Sequence, residues 1–292
     1  MFHDKHIPTY VEVILGLPLE SYETFTKGLN TVLSYRLEDR FFVYLCQMLE
    51  NTEMDSPEYR EKYQLDTRRC RHTVSNRKFE WVDEDTEYEE FVVGTSTMPV
   101  EDWVRSYVYG YFLTVLYNHR AAIFPFIYLK EQFGIETVDL LEFIISHLRQ
   151  KPDLFPVLTR SIGHIDRQAQ LMIDGVSSMC DLPEAEGLVV LPHVGALVLL
   201  AKDKDIFYKE LDSILKLFIL ENKLEVEPLI LEEILIYQNL RFPSWPKQQI
   251  DEHTFQTNIP RYFYQLAAGL EAPIIKNELT VVTFRDHMRK AN

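Results

Sequence analysis

Glu12, Ile14 and Gly16 stand two residues apart in the run Tyr10-Val11-Glu12-Val13-Ile14-Leu15-Gly16-Leu17-Pro18-Leu19-Glu20-Ser21-Tyr22. In an extended strand they share one face, with Val11, Val13 and Leu15 on the other. Residues 10–17 are apolar apart from Glu12, the pattern of a parallel strand buried on both faces. A carboxylate there needs a partner, and a glycine beside it lets a ligand or another backbone approach closely. The chemistry on offer is ligand contact, unless Glu12 simply pairs with a Lys or Arg at a sheet edge.

Other groups promise less. The chain has no P-loop, no Gly-x-Ser-x-Gly elbow and no His-Glu-x-x-His pair. His3 and His6 are three apart, but at a terminus expected to fray. His119 suits the C-terminal dipole of an apolar helix. His164 and Asp166 are two apart, too close to face each other on a helix. His193 follows Pro192 with nothing nearby in sequence to orient it. Cys46, Cys70 and Cys180 are too widely spaced for a short zinc or iron–sulfur motif, so no metal site is expected. They read as reduced thiols of a cytoplasmic protein. The acidic stretch 83–90 reads as solvated surface.

The whole chain bounds the reading further. Its 292 residues, 46% hydrophobic and 13% aromatic, are enough for a substantial core. A net charge of −15 with dispersed Lys and Arg argues against nucleic acid as a partner. The N-terminus lacks the apolar core of a signal peptide, and the apolar run at 187–201 is too interrupted and short for a transmembrane segment.

The elements that must position the opening residues follow. Pro18 is expected to end the strand. Ser21 caps a helix with Glu23 in its first turn, and Tyr22, Phe25, Leu29, Val32 and Leu33 recur at helical spacing to about Tyr35. Asp39 and Arg40 turn the chain into a second apolar strand over 41–48. Strand, helix, strand implies parallel strands with a right-handed crossover. Two parallel strands make no stable sheet. Only nine residues precede the first strand, and strand–helix alternation stops after residue 50. The chain therefore reads as the last piece of a barrel whose earlier strands lie elsewhere.

Residues 56–98 read as a connector. It holds a Ser56-capped helix over 57–63, a charged stretch at 68–71, Phe79 and Trp81 as anchors, and an extended segment over 88–98. Helices dominate 99–245. One is capped by Thr97 or Met98 and buried almost all round over 103–117. Others cover 121–133 and 137–149, with Gly134 between them, then 153–179, 192–200, 206–220 and 228–240. Phe242-Pro243-Ser244-Trp245-Pro246 breaks the series. Residues 246–292 form a small α+β extension, with 255–258 extended, a short helix opened by Pro260, and a hairpin around Lys276-Asn277-Glu278.

Several of these segments carry a resemblance. Residues 12–25 resemble the late-strand motif of radical SAM enzymes, in the form Glu-hydrophobic-Gly-Leu-Pro-Gly-Glu-Thr. Leu49-Glu50-Asn51-Thr52-Glu53-Met54 resembles the exit of the next strand, usually Leu-Pro-Asn-Thr or Leu-Pro-Gly-Thr. Pro57-Glu58-Tyr59, Lys62-Tyr63, Tyr88-Glu89-Glu90, residues 92–98 and Asp102-Trp103 continue the series. Together they are similar to the C-terminal half of cobalamin (B12)-binding radical SAM proteins, most firmly over residues 7–130.

The resemblance implies an α/β fold. Residues 1–55 would be the terminal βαβ portion of a partial TIM-type (β/α) barrel, followed by a mainly α-helical C-terminal domain. It places Glu12 in the barrel lumen, Ile14 on adenine, and Gly16 where S-adenosylmethionine approaches closely; Pro18 and Glu20 shape the loop. Leu19 stands where the family has glycine, and Glu50 where it has proline. The Cys-x3-Cys-x2-Cys loop that holds a [4Fe–4S] cluster is absent, as is a cobalamin domain. S-adenosylmethionine, cluster and cobalamin are thus implied for the complete enzyme, with an N-terminal B12/radical SAM portion supplied as a separate chain or a missing segment, and a small-molecule or lipid-like substrate. This chain alone is then expected to be inactive. The alternative is a non-catalytic helical interaction protein retaining a vestigial barrel segment.

Overall fold

A computed structural model describes residues 10–35, 40–73, 75, 86–243 and 251–284. The readings at His3, His6, Asp39, Phe79, Trp81, residues 83–85 of the acidic stretch, Ser244, Trp245 and Pro246 lie outside the described residues. The chain is α/β, with helices and small sheets and no closed barrel among the described residues.

Strand β1 (Tyr10–Leu15), helix α1 (Tyr22–Tyr35) and strand β2 (Arg40–Leu45) form the expected unit, with β1 and β2 parallel in the register Glu12↔Phe42 and Ile14↔Tyr44. Ser21 caps α1: its Oγ accepts from Thr24 N at 3.3 Å, and its own N donates to Thr24 Oγ1 at 2.8 Å. The first strand stops at Leu15, ahead of Pro18, because Gly16 turns the chain with φ +100°. The second strand is shorter than the apolar run suggested. It breaks at Cys46, and Gln47–Met48 becomes β3 in another sheet.

That sheet has the order β3-β5-β4, all antiparallel, built from β4 (Asp66–Arg71) and β5 (Tyr88–Gly94). The charged stretch at 68–71 is therefore a strand. Helix α2 (Pro57–Tyr63) precedes it, capped by Ser56 Oγ accepting from Tyr59 N at 3.3 Å. Helix α3 (Val100–Leu113) is buried nearly all round and continues as a π-helical turn over Thr114–Asn118. Neither Thr97 nor Met98 caps it. Pro99 stands at the cap, and Thr95 Oγ1 instead accepts from Thr97 N and Met98 N at 3.3 and 3.1 Å, folding the segment before the helix into a tight turn.

Helices α4 (Ile123–Phe133) and α5 (Thr137–Gln150) are separated by Gly134 at φ +68°. Helix α6 (Pro156–Ile173) is shorter than the 153–179 reading: Gly175, at φ +69°, ends it. A small hairpin of β6 (Cys180–Leu182) and β7 (Leu188–Val190) follows. Helices α7 (Pro192–Lys202), α8 (Lys204–Glu221) and α9 (Pro228–Arg241) match expectation. Strand β8 (Asp251–Thr257), helix α10 (Ile259–Ala267) and strand β9 (Asn277–Phe284) complete the chain. The hairpin expected around Lys276-Asn277-Glu278 does not form. Its residues open β9, which pairs antiparallel with β8, while Asn258 holds the return by accepting from Lys276 N at 2.9 Å and donating to Ile274 O at 3.0 Å.

The chain divides into two compact units. The first comprises residues 1–115 and 160–197. Its core joins Leu15, Phe41 and Val43 to Phe25, Leu29 and Leu33 of α1 and to the long aromatic face of α3. Gly110 permits this close approach: a Cβ there would lie 3.2 Å from Val43 Cγ2 and 3.3 Å from Phe25 Cζ. The second unit comprises residues 116–159 and 198–292. Two buried carboxylates tie its segments together. Glu210 accepts from Val157 N and Leu158 N at 2.9 and 2.8 Å, and Glu233 accepts from Thr257 N at 3.0 Å and from Thr257 Oγ1.

Candidate functional site: the Gly16 turn and the outer face of the parallel strands

Three strand ends meet at the turn that follows β1. Cys46 N donates to Leu15 O at 2.8 Å, and Val92 N donates to Cys46 O at 2.9 Å. Gly16 sits beneath this row. A Cβ on it would lie 3.0 Å from Val92 O and 3.4 Å from both Cys46 Cβ and Trp103 Nε1. The close approach that the glycine permits is thus from β5 and α3, and its conformation is one that side chains rarely adopt.

Leu19 also has positive φ, +69°, at the position where the resemblance calls for glycine. The turn keeps the left-handed geometry and imposes it on an exposed leucine.

Glu20 closes the turn. Its N donates to Leu17 O at 3.3 Å, and Thr97 Oγ1 donates to its carbonyl at 2.7 Å. Its carboxylate accepts from the Gly16 backbone, while Oε2 has no hydrogen-bond partner among the described residues. Burial pushes its pKa up to about 7, against the opposing pull of the Gly16 hydrogen bond.

The two faces of the β1–β2 pair differ. Leu15, Phe41 and Val43 are sealed, whereas Tyr10, Ile14, Phe42 and Tyr44 are exposed by 62, 42, 40 and 50%. The strand is therefore not buried on both faces, because α1 and α3 pack on one side only among the described residues. Tyr10 meets Phe42 edge-on at 5.7 Å, and Phe42 meets Tyr44 at 6.5 Å, forming an aromatic strip. Glu12 lies exposed in this strip opposite Phe42. Ile14 shares its face, and Pro18 is half-buried in the turn. Ile14 and Glu12 are thus open to a ligand; Gly16 offers only its backbone.

Behind the turn, Trp103, Tyr107 and Tyr111 stack along α3 at centroid spacings of 5.2 and 4.5 Å. Tyr111 Oη donates to Val43 O at 3.3 Å. His193 is oriented after all, its ring lying parallel to that of Tyr111 at 5.9 Å. His164 is buried against Gly195 and lies 3.9 Å from Cys180 Sγ. The spacing 103, 107, 111 made this stripe readable as core, but nothing local tied it to Gly16.

Burial pushes the thiols of Cys46, Cys70 and Cys180 up to about 11, which disfavours the thiolate that metal binding requires. No group of three or more His, Cys, Asp or Glu is placed to hold a metal among the described residues. These residues do not fit a [4Fe–4S] cluster. No described helix is long and apolar enough to cross a membrane.

No family model matches the chain. It is similar to TokK of Streptomyces tokunonensis, a cobalamin-dependent radical SAM methyltransferase, at 29% identity over 184 residues, which is 61% of this chain and 27% of that protein. It is also similar to the 2-(S-pantetheinyl)-carbapenam-3-carboxylate methyltransferase of Streptantibioticus cattleyicolor, at 28% identity over 149 residues, 51% of this chain and 22% of that protein. The matched stretch spans about a quarter of the length of these curated relatives. A radical SAM relationship is thereby supported at the level of the family.

Proposed function

We propose that this chain forms the C-terminal wall of a cobalamin-dependent radical SAM methyltransferase. The outer face of β1–β2 carries the proposal: a two-stranded parallel sheet presents Tyr10, Ile14, Phe42 and Tyr44 uncovered. Parallel strands are ordinarily covered on both faces. A preceding portion, as a separate chain or as further sequence, would supply the neighbouring strands, the three-cysteine loop and the B12 domain.

Ile14 and the exposed Glu12 would line the adenine side of S-adenosylmethionine, and the Gly16–Pro18 backbone would offer hydrogen bonds to its edge. Glu20 would hold the turn rather than touch the cofactor. When bound to its cluster, S-adenosylmethionine supplies radical chemistry, and cobalamin carries the methyl group. The residues of this chain position and enclose.

Two measurements test the reading. Purified chain treated with iron and sulfide under reducing conditions should show no stoichiometric four-iron absorption; a robust cluster would sink it. Adding the polypeptide encoded immediately upstream should give S-adenosylmethionine cleavage, weakened at least tenfold by Ile14→Asp. Cleavage by the upstream polypeptide alone at the full rate counts against the proposal.

A second reading, a helical interaction protein with a vestigial barrel segment, draws on Leu19 held at positive φ where the family has glycine. It predicts that the upstream frame is unrelated.

A further inference from the structure

Arg60 of α2 uses every donor it has. Its five N–H groups meet five acceptors: Nε donates to Asp55 O at 3.3 Å, Nη1 to Glu90 Oε1 at 2.9 Å and to Thr67 Oγ1 at 3.3 Å, and Nη2 to Asp55 Oδ1 at 2.8 Å and to Glu90 Oε2 at 3.1 Å. The two bonds to Glu90 are the bidentate fork of a guanidinium on a carboxylate, and Thr67 Oγ1 donates to the same carboxylate. Arg60 is thereby anchored to β4 and β5 and reaches from there to Asp55. Its hydrogen bonds hold the carboxyls of Asp55 and Glu90 below their ordinary range, so the cluster stays charged.

The cluster extends one residue beyond what bracing α2 needs. The second oxygen of Asp55 accepts from Asn51 N at 3.2 Å. Asn51 is exposed at φ +65° in the turn that leaves β3, and Thr52 Oγ1 donates to Leu49 O at 2.8 Å across that turn. A side chain held in the left-handed region persists where its surroundings fix it. The series Glu90, Arg60, Asp55, Asn51 does so here. The same loop packs beside the Gly16 turn: Met54 Sδ lies 4.0 Å from Cys46 Sγ, and Cys46 Cβ lies 3.4 Å from where a Gly16 Cβ would stand. The two loops are neighbours at the carboxyl ends of β1 and of the β2–β3 run, where ligands of parallel sheets bind.

We propose that Arg60 is a positioning residue: through Asp55 it fixes the Leu49–Asp55 loop, with its exposed Asn51, as a second wall of the ligand site beside Gly16. The proposal rests on the reading of that site as one for S-adenosylmethionine. Arg60 acts through the loop and touches no ligand itself. Lysine is no substitute, because three donors on a single nitrogen cannot span Glu90 and Asp55 in this geometry.

Two readouts separate positioning from general support of the fold. In the purified chain, Arg60→Met and Arg60→Lys should each speed amide exchange at Asn51 about tenfold, while α1 and β1 keep their rates. With the polypeptide encoded immediately upstream, both variants should raise the KM for S-adenosylmethionine about tenfold and leave kcat within about twofold. Glu61→Gln, at an exposed position of the same helix, should change neither quantity. Unchanged exchange at Asn51, faster exchange throughout the chain, full rescue by Arg60→Lys, or a fall in kcat at constant KM overturns the proposal. If the unsubstituted mixture cleaves no S-adenosylmethionine, the reading of the site fails and takes this inference with it. An active mixture indifferent to Arg60→Met defeats the inference alone.

Discussion

Two of the two-stranded sheets among the described residues, β1–β2 and β8–β9, are opposite in character. In the antiparallel β8–β9 pair the inner face is closed by Phe255 and by Glu233 reaching from α9, while the outer face mixes polar with apolar residues: Glu252, Thr254 and Gln256 on β8, Leu279 and Val281 on β9, with Thr254 opposite Val281. That is the arrangement of an antiparallel sheet with one wet face. In β1–β2 the inner face is closed at Leu15, Phe41 and Val43, but the outer face presents Tyr10, Ile14, Phe42 and Tyr44 beside the exposed Glu12. Parallel pairing and an apolar outer face together mark a surface meant to be covered. The β8–β9 pair is closed within the chain, whereas the proposed role has the parallel pair covered by another portion.

The largest expected effect tests the two faces of β1–β2 against each other. Phe41→Ala, on the sealed face, should cost about 3–5 kcal/mol in chemical denaturation. Phe42→Ser, its exposed neighbour, should change stability by no more than about 0.5 kcal/mol in the isolated chain. Equal losses at the two positions would erase the distinction.

Gly16→Ala comes next. It places a Cβ 3.0 Å from Val92 O in a backbone conformation with φ +100°, and should cost about 1–3 kcal/mol. Leu19→Gly should act in the opposite direction. Relief of φ +69° outweighs the added chain entropy, raising stability by up to about 1 kcal/mol. A loss there would show that the leucine side chain supports the turn.

The smallest effect concerns pH. Burial holds the folded pKa of Glu20 at about 7, above its ordinary value of 4.5. Between those values the folded state holds more protons than the unfolded state. Its contribution is therefore complete below about pH 4.5 and is lost as pH rises through 7. Glu20→Gln should flatten that segment of the stability–pH curve; an unchanged slope would remove Glu20 as its source. Because Glu20 is partly exposed, the slope is shallow.

Local signals were enough for most helices. Ser21 and Ser56 announce their caps, Gly134 announces its stop, and apolar spacing carries α3, α8 and α9. The strand β4 gave no such signal. Asp66-Thr67-Arg68-Arg69-Cys70-Arg71 is held by backbone pairing to β5, with Cys70 as its fully buried side chain, so polar residues fill positions where alternation would be sought. The hairpin β6–β7 has three residues in each strand, too few for a period to show. At the candidate site the turn at Gly16 was legible, but its cause was not. Val92 and Trp103 arrive from distant sequence, and no local pattern tells a glycine that admits a ligand from one that admits a neighbouring carbonyl. Equally, the apolar run of β1 shows that a cover is wanted but not whether this chain provides it.

The proposed role makes the outer face of β1–β2 an interface with the portion carrying the cluster and cobalamin. It is tested most directly by amide hydrogen exchange over residues 10–15 and 40–45, for the chain alone and mixed with the polypeptide encoded immediately upstream. At least tenfold slower exchange is expected in these two strands in the mixture, with the β8–β9 pair unchanged, and that protection should be lost in Phe42→Ser combined with Tyr44→Ser. Unaltered exchange in β1 and β2 with both polypeptides present would contradict it.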